Sequence, residues 1–280
     1  MPYEERALAF GCGDDALVGI ASVPAAPCTR GVLIVVGGPQ YRVGSHRQFA
    51  LLARHLAGHG IAAMRFDYRG MGDSEGDERD FESVRDDIRA ALDAFMAAVP
   101  GMRDVVLWGL CDGASAAAMY ARHDARVRGL VLLNPWVRTD DGVARTTLKH
   151  HYRDRLRDRE FWGKLARGQF DYVGSLKSML GLVRAAFAGR NEQDGTAASL
   201  PERMRQGLLA FGGHTLVVIG GADLTGREFC DVAGSTPAWK RLLAAPHVTW
   251  RRIEDADHTF SRRAWRDQVA AWTSEWVRSW

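Results

Sequence analysis

Residues 105–118 constrain this chain more than any other stretch. The apolar run Val105-Val106-Leu107-Trp108 leads into Gly109-Leu110-Cys111-Asp112-Gly113, and the small residues Ala114-Ser115-Ala116-Ala117-Ala118 follow. The pattern reads as strand, sharp turn, helix. Glycines on both sides of a central residue meet the needs of a strained turn and of a helix packed tightly on a strand. Gly-x-nucleophile-x-Gly is the pattern of a nucleophile elbow, here with cysteine where serine is usual. Such a turn lifts the sulfur above the sheet. The helix N-terminus behind it favours negative charge, and so a thiolate.

The surrounding chain alternates strand and helix. Strands are predicted over 6–10, 17–23, 32–36, 61–68, 104–110 and 127–135. Helical spacing follows Phe49, Leu52 and Leu56, and further helices are predicted over 81–99 and 114–122. That alternation implies a mostly parallel sheet covered on both faces. It breaks after Arg138. Residues 138–206 carry charged, helix-compatible segments at 150–165 and 172–187, then a polar turn at 189–196. Strands resume at 215–219 and 248–253, and a last helix starts near Ser261. Its Trp265, Val269, Trp272, Trp276 and Trp280 share one face and read as core packing. The expected organisation is a core of 1–137 and 207–280 with a helical cap, 138–206, inserted between two strands of one sheet.

The bulk numbers exclude some classes. With 280 residues, 46% hydrophobic and 25% charged, the chain has the make-up of a globular protein with one sizeable core. A net charge of +3 is too small to argue for nucleic acid. No apolar run approaches the ~20 residues of a membrane span. The start, Met1 to Arg6, lacks a basic region followed by an apolar core, so a cytoplasmic location is expected. The four cysteines, Cys12, Cys28, Cys111 and Cys230, show no metal-binding spacing and are expected as free thiols. No metal or organic cofactor is implied.

A thiol nucleophile needs a base, and the base needs an orienting group. Behind an elbow these follow in the order acid, then histidine. Asp223 stands just after the 215–219 strand, in Gly220-Gly221-Ala222-Asp223. His258 stands just after the 248–253 strand, in Asp257-His258-Thr259-Phe260. Both are at the carboxyl ends of strands, where open sheets of this kind place their ligands. Asp223 read alone is a helix cap, and His258 alone a structural histidine; their order and placement favour the catalytic reading. Asp140, Asp255 and Asp257 are rival acids, and His150, His151 and His214 rival bases. Cys230 is expected to be buried.

Acyl transfer also needs donors for an oxyanion. The backbone N–H of Asp112, next to the nucleophile, is one candidate. The second is expected from Gly37-Gly38-Pro39-Gln40-Tyr41. Pro39 has no N–H, so the Gln40 amide is assigned. The Asp112 carboxylate would raise the thiol pKa if it lay close, and otherwise points away or binds a polar substrate group.

With these residues in place, the chain resembles the α/β-hydrolase superfamily over nearly its whole length. Asp67-Tyr68-Arg69-Gly70-Met71-Gly72-Asp73-Ser74 is similar to the D-x-R-G-x-G-x-S segment that follows the fourth strand in those proteins. Gly37-Gly38-Pro39-Gln40-Tyr41-Arg42 together with the cysteine elbow resembles the exosortase-A-system-associated hydrolases, bacterial proteins associated with exopolysaccharide production and protein sorting. The resemblance implies an α/β-hydrolase fold and hydrolase chemistry. Cysteine in place of serine departs from the superfamily and argues against ordinary lipase or peptidase activity.

A cysteine nucleophile forms a thioester acyl-enzyme, which retains acyl-transfer potential. Hydrolysis of an ester or thioester is the expected reaction. Transfer to a non-water acceptor by the same residues, or a non-catalytic binding role in a polysaccharide or secretion system, are the alternatives. The expected partner is a small-molecule or carrier-bound acyl substrate. The cap carries Arg138, Arg145, Lys149, Arg153, Arg155, Arg157, Arg159, Lys164 and Arg167 among acids. This reads either as a solvated, ion-paired surface or as a mouth that attracts anionic substrates.

Overall fold

A computed structural model describes residues 1–38, 40–137 and 198–280. Its strands are β1 (Tyr3–Cys12), β2 (Asp15–Pro24), β3 (Arg30–Val35), β4 (Ala62–Phe66), β5 (Asp104–Leu110), β6 (Val127–Leu133), β7 (His214–Gly220) and β8 (Val248–Ile253). They form one eight-stranded sheet in the order β1-β2-β4-β3-β5-β6-β7-β8. Strands β1 and β2 pair antiparallel, as do β2 and β4. Every other neighbouring pair is parallel.

The helices of the described residues are α1 (Gln48–Gly58), α2 (Arg85–Ala98), α3 (Asp112–Tyr120), α4 (Leu200–Phe211), α5 (Leu224–Ala233), α6 (Pro237–Leu243) and α7 (Arg263–Arg278). Strand β3 and the centre of β5 are apolar and buried because helices cover both faces of the sheet. Phe49 of α1 meets Trp108 of β5 edge-on, ring centroids 5.7 Å apart, and binds that layer to the central strand. The sheet's edges are β1 and β8, whose charged, exposed residues discourage further strand pairing.

Local chemistry moves some boundaries. Helix α2 starts at Arg85, four residues after the predicted start, because Asp80 accepts hydrogen bonds from the N–H groups of Glu82 and Ser83 and holds a turn there. Helix α3 starts at Asp112, directly at the elbow, two residues before the predicted start. In α7, Trp276 is core, while Trp265 and Trp272, with Trp280 just beyond the helix, pack at the core's margin. Trp280 stacks on His214 at 4.2 Å and lies under the Arg30 guanidinium at 3.7 Å.

Helix α4 runs across the expected boundary at 206/207 and packs on α3. A Cβ at Gly207 would meet the Ala118 carbonyl at 2.5 Å, so glycine allows that approach. The rest of the expected cap, 138–197, lies outside the described residues. So do its basic cluster and the alternative residues Asp140, His150 and His151.

The topology positions the site. From β3 the chain turns to β4 on one side, then returns past β3 to place β5 on the other. The carboxyl ends of β3 and β5 therefore flank a switch point, where a crevice opens in a sheet of this kind. The loop 36–44 leaves β3 there, and Cys111 follows β5.

Candidate active site

Cys111 sits between β5 and α3 with φ 59° and ψ −124°, a strained backbone for a residue bearing a Cβ. The surroundings over-determine it. Its N–H donates to the Leu133 carbonyl at 2.9 Å, and its carbonyl accepts from the Trp136 N–H at 3.1 Å. The Ser115 hydroxyl donates to the Trp136 carbonyl at 2.5 Å. A Cβ at Gly109 would lie 2.4 Å from the Gly113 carbonyl carbon, and one at Gly113 would lie 2.5 Å from the Val35 carbonyl oxygen. Both glycines are thus required by close backbone approach.

Asp223 and His258 meet from adjacent strands. Asp223 Oδ1 lies 3.0 Å from His258 Nδ1. Its Oδ2 accepts from the Gly226 N–H at 2.8 Å and caps α5. Helix cap and histidine partner, opposed as readings of the sequence, are both present in one carboxylate. The loops bearing the two residues are also joined directly. Gly221 N–H donates to the Ile253 carbonyl at 2.8 Å and Ala222 N–H to the Ala256 carbonyl at 3.1 Å.

With Nδ1 held by Asp223, His258 hydrogen-bonds Cys111 as well. The Asp223 bond, followed by that to Cys111, pushes the imidazole up to about 10, against burial, which lowers it. Both partners stabilise the imidazolium.

Asn134 is a residue that sequence reasoning passed over as mere strand end. It is fully buried at the end of β6, with φ 41°. Its Nδ2 donates to the His258 carbonyl at 3.0 Å, and its Oδ1 accepts from the Gly220 N–H at 2.8 Å. One side chain thereby joins β6 to the start of the acid loop and to the histidine. The Asn134-Pro135 pair at a strand end is the only trace in the sequence, and it signals a turn rather than this linkage.

Asp112 turns its carboxylate toward the loop after β3. Oδ2 accepts from the Gly38 N–H at 2.7 Å and Oδ1 from the Gly113 N–H at 3.0 Å. Burial raises its pKa, while these amides, its own N–H and His258 act in the opposite direction. The Gln40 backbone amide, expected as an oxyanion donor, instead donates to the Gly38 carbonyl at 2.7 Å. Its side-chain Oε1 accepts from the Ser45 N–H at 3.1 Å.

The segment 67–74 serves this same loop. The fully buried Asp67 carboxylate accepts from the Arg42 N–H at 2.6 Å and from the Asp73 N–H at 3.1 Å, and pairs with the Arg42 guanidinium, which also reaches Asp73. Arg69 pairs with the buried Asp87 at 2.8 Å.

A cleft of about 340 Å³ collects these groups. Cys111, Asp112, His258, Gly37, Gly38 and Gln40 form its polar side, and Phe49, Phe81, Leu110 and Trp136 its apolar side. The described rival residues stand elsewhere or are otherwise engaged. His214 begins β7, at the far end of the sheet. Asp257 accepts from the Ser261 N–H at 2.9 Å. Cys230 lies in α5 and is half-buried rather than buried as expected, and desolvation pushes its thiol up. Among the described residues no group of histidine, cysteine and carboxylate side chains is arranged to hold a metal ion. None of their helices is long and apolar enough to cross a membrane.

The family model for serine aminopeptidase S33 matches residues 28–159. No curated protein matches the chain. Among solved structures, the esterase Pf2001 of Pyrococcus furiosus is similar at TM-score 0.67 and 14% identity, with 99% of this chain and 93% of that one covered. Est1E of Butyrivibrio proteoclasticus, bound to ferulic acid, is similar at TM-score 0.64 and 15% identity, covering 96% and 97%. Dienelactone hydrolase of Anabaena variabilis is similar at TM-score 0.62 and 16% identity, covering 99% and 97%. Strand order, elbow and these near-full-length likenesses lead to one conclusion: this chain has the α/β-hydrolase fold.

Proposed function

We propose that the protein is a cysteine-dependent acyl hydrolase that cleaves an ester or thioester through an acyl-Cys111 intermediate. One observation carries this reading: His258 bridges Asp223 and Cys111 at a strained elbow that opens into a partly apolar cleft. The similar esterases and dienelactone hydrolase agree with ester chemistry. The substrate is a small-molecule or carrier-bound acyl compound, its acyl part lying against Phe49, Phe81 and Trp136.

The chemistry follows from the geometry. An imidazolium at His258 is the partner a thiolate needs. The Cys111 sulfur attacks the acyl carbonyl carbon, forming an S–C bond and an oxyanion. Collapse breaks the bond to the alcohol or thiol, which takes the His258 proton as it leaves. Neutral His258 then removes a proton from water, and hydroxide attacks the thioester. The carboxylic acid leaves, and the proton stays shared between His258 and the regenerated sulfur. Asp223 orients the ring and stabilises its charge throughout.

Intact-protein mass spectrometry after brief exposure to aryl esters and acyl thioesters tests the reading. An adduct on Cys111 that is lost in Cys111→Ala and slowed at least a hundredfold in His258→Ala supports it. Decay of that adduct in water identifies a hydrolase. Decay only with an added amine or alcohol identifies an acyltransferase and replaces the proposal. No adduct, with Cys111 no more readily alkylated than the other thiols, leaves a binding protein.

A further inference from the structure

The oxyanion formed at Cys111 needs donors, and several backbone N–H groups near the sulfur are already engaged. Pro39 has no N–H. Gly38 N–H and Gly113 N–H are both directed at the Asp112 carboxylate, at 2.7 and 3.0 Å. The Gln40 backbone N–H is held by the Gly38 carbonyl at 2.7 Å. The Asp112 N–H stands next to the nucleophile but is partly drawn to its own carboxylate.

The Gln40 side chain differs. Ser45 N–H needs an acceptor, so the Gln40 atom 3.1 Å from it is Oε1, and the other end of the amide is Nε2. That Nε2 makes no hydrogen bond among the described residues, and Gln40 lines the cleft together with Cys111 and His258. We propose that the Gln40 side-chain amide, through Nε2, is the second donor to the oxyanion at Cys111, in place of a loop backbone N–H. This rests on the acyl-Cys111 reading above. The Ser45 bond sets the amide's orientation before substrate arrives, and preorganised donors are the effective ones. A side-chain donor also explains how Pro39 and the Asp112–Gly38 bond are tolerated at positions that would otherwise weaken the hole.

The test uses the full chain with p-nitrophenyl butyrate as substrate, butyraldehyde as a reversible inhibitor that forms a hemithioacetal, and iodoacetamide as an alkylating agent. Gln40→Ala is expected to lower kcat about a hundredfold with KM changed less than about threefold, the loss typical of one oxyanion donor. Butyraldehyde inhibition should weaken in parallel. Iodoacetamide develops no oxyanion, so its rate at Cys111 should hold in the variant. Gln40→Glu keeps the acceptor for Ser45 but has no N–H, and should lose kcat as Gln40→Ala does. Wild-type kcat in Gln40→Ala overturns the inference. So does full activity in Gln40→Glu, which would make the role one of loop support, or an alkylation rate that falls in step with kcat. Failure of the unaltered protein to acylate at Cys111 takes down the acyl-enzyme reading itself, and the inference with it. The other outcomes leave that reading standing.

Discussion

Asn134 Nδ2 donates to the carbonyl oxygen of His258 at 3.0 Å, across 124 positions of sequence. Its Oδ1 holds the Gly220 N–H, so the acid loop and the histidine loop hang from one buried amide. Replacing it with alanine leaves a buried N–H and a carbonyl without a partner, each worth about 1–3 kcal/mol. Asn134→Ala is expected to lose about 2–4 kcal/mol in urea unfolding. Its Cys111 acylation should slow while KM changes little, as for a residue that positions His258 without touching substrate.

The two roles of Asp223 separate by substitution. Asn at this position keeps an acceptor for the Gly226 N–H but loses the charge facing His258. Ala loses both. Unfolding should show Asp223→Ala less stable than Asp223→Asn by about 1 kcal/mol, the usual worth of an N-cap. Acylation should fall in both by a factor on the order of 100. Equal stability of the two variants would remove the capping role.

His258 links stability to pH. Its folded value of about 10 lies above the ordinary 6.5, so the folded state binds the proton more tightly than the unfolded state does. The resulting stabilisation is full below pH 6.5 and is lost as pH rises toward 10. Unfolding measured between pH 6 and 10 should show a loss of stability in the wild type that is smaller in His258→Gln and in Asp223→Asn. The ring's side chain is 37% exposed, so solvent screening keeps the effect modest.

Asp67 has no exposed surface and relies on Arg42 for its countercharge. Arg42→Met removes that charge while keeping much of the stem. The loss is expected at about 3–5 kcal/mol, as for one partner removed from a buried pair. Because Arg42 leads out of the loop bearing Gly38 and Gln40, the surviving folded protein should also bind substrate less well. A double variant, Arg42→Met with Asp67→Asn, should recover part of the stability, which a double-mutant cycle would read directly.

Much of this molecule was legible in one dimension. Apolar runs, turn glycines and strand–helix alternation marked all eight of the sheet's strands in place and the elbow itself, because burial on both faces and close backbone approach leave local marks. Cys111, Asp223 and His258 could be picked out because each follows a strand at its carboxyl end, a property of sequence position. The short helices α5 and α6 left weaker marks, since Thr225, Gly226 and a seven-residue span carry little helical preference of their own. What only the tertiary structure decided is where side chains point. Asp223 divides its oxygens between cap and histidine, Asp112 turns to Gly38, and Gln40 gives its backbone N–H to Gly38 while Ser45 orients its side-chain amide. Asn134 joins loops that sequence holds far apart. Each of these is a choice among competing hydrogen-bond partners, settled by which of them the loop paths and the strand register bring within reach, and register is a property of the whole sheet.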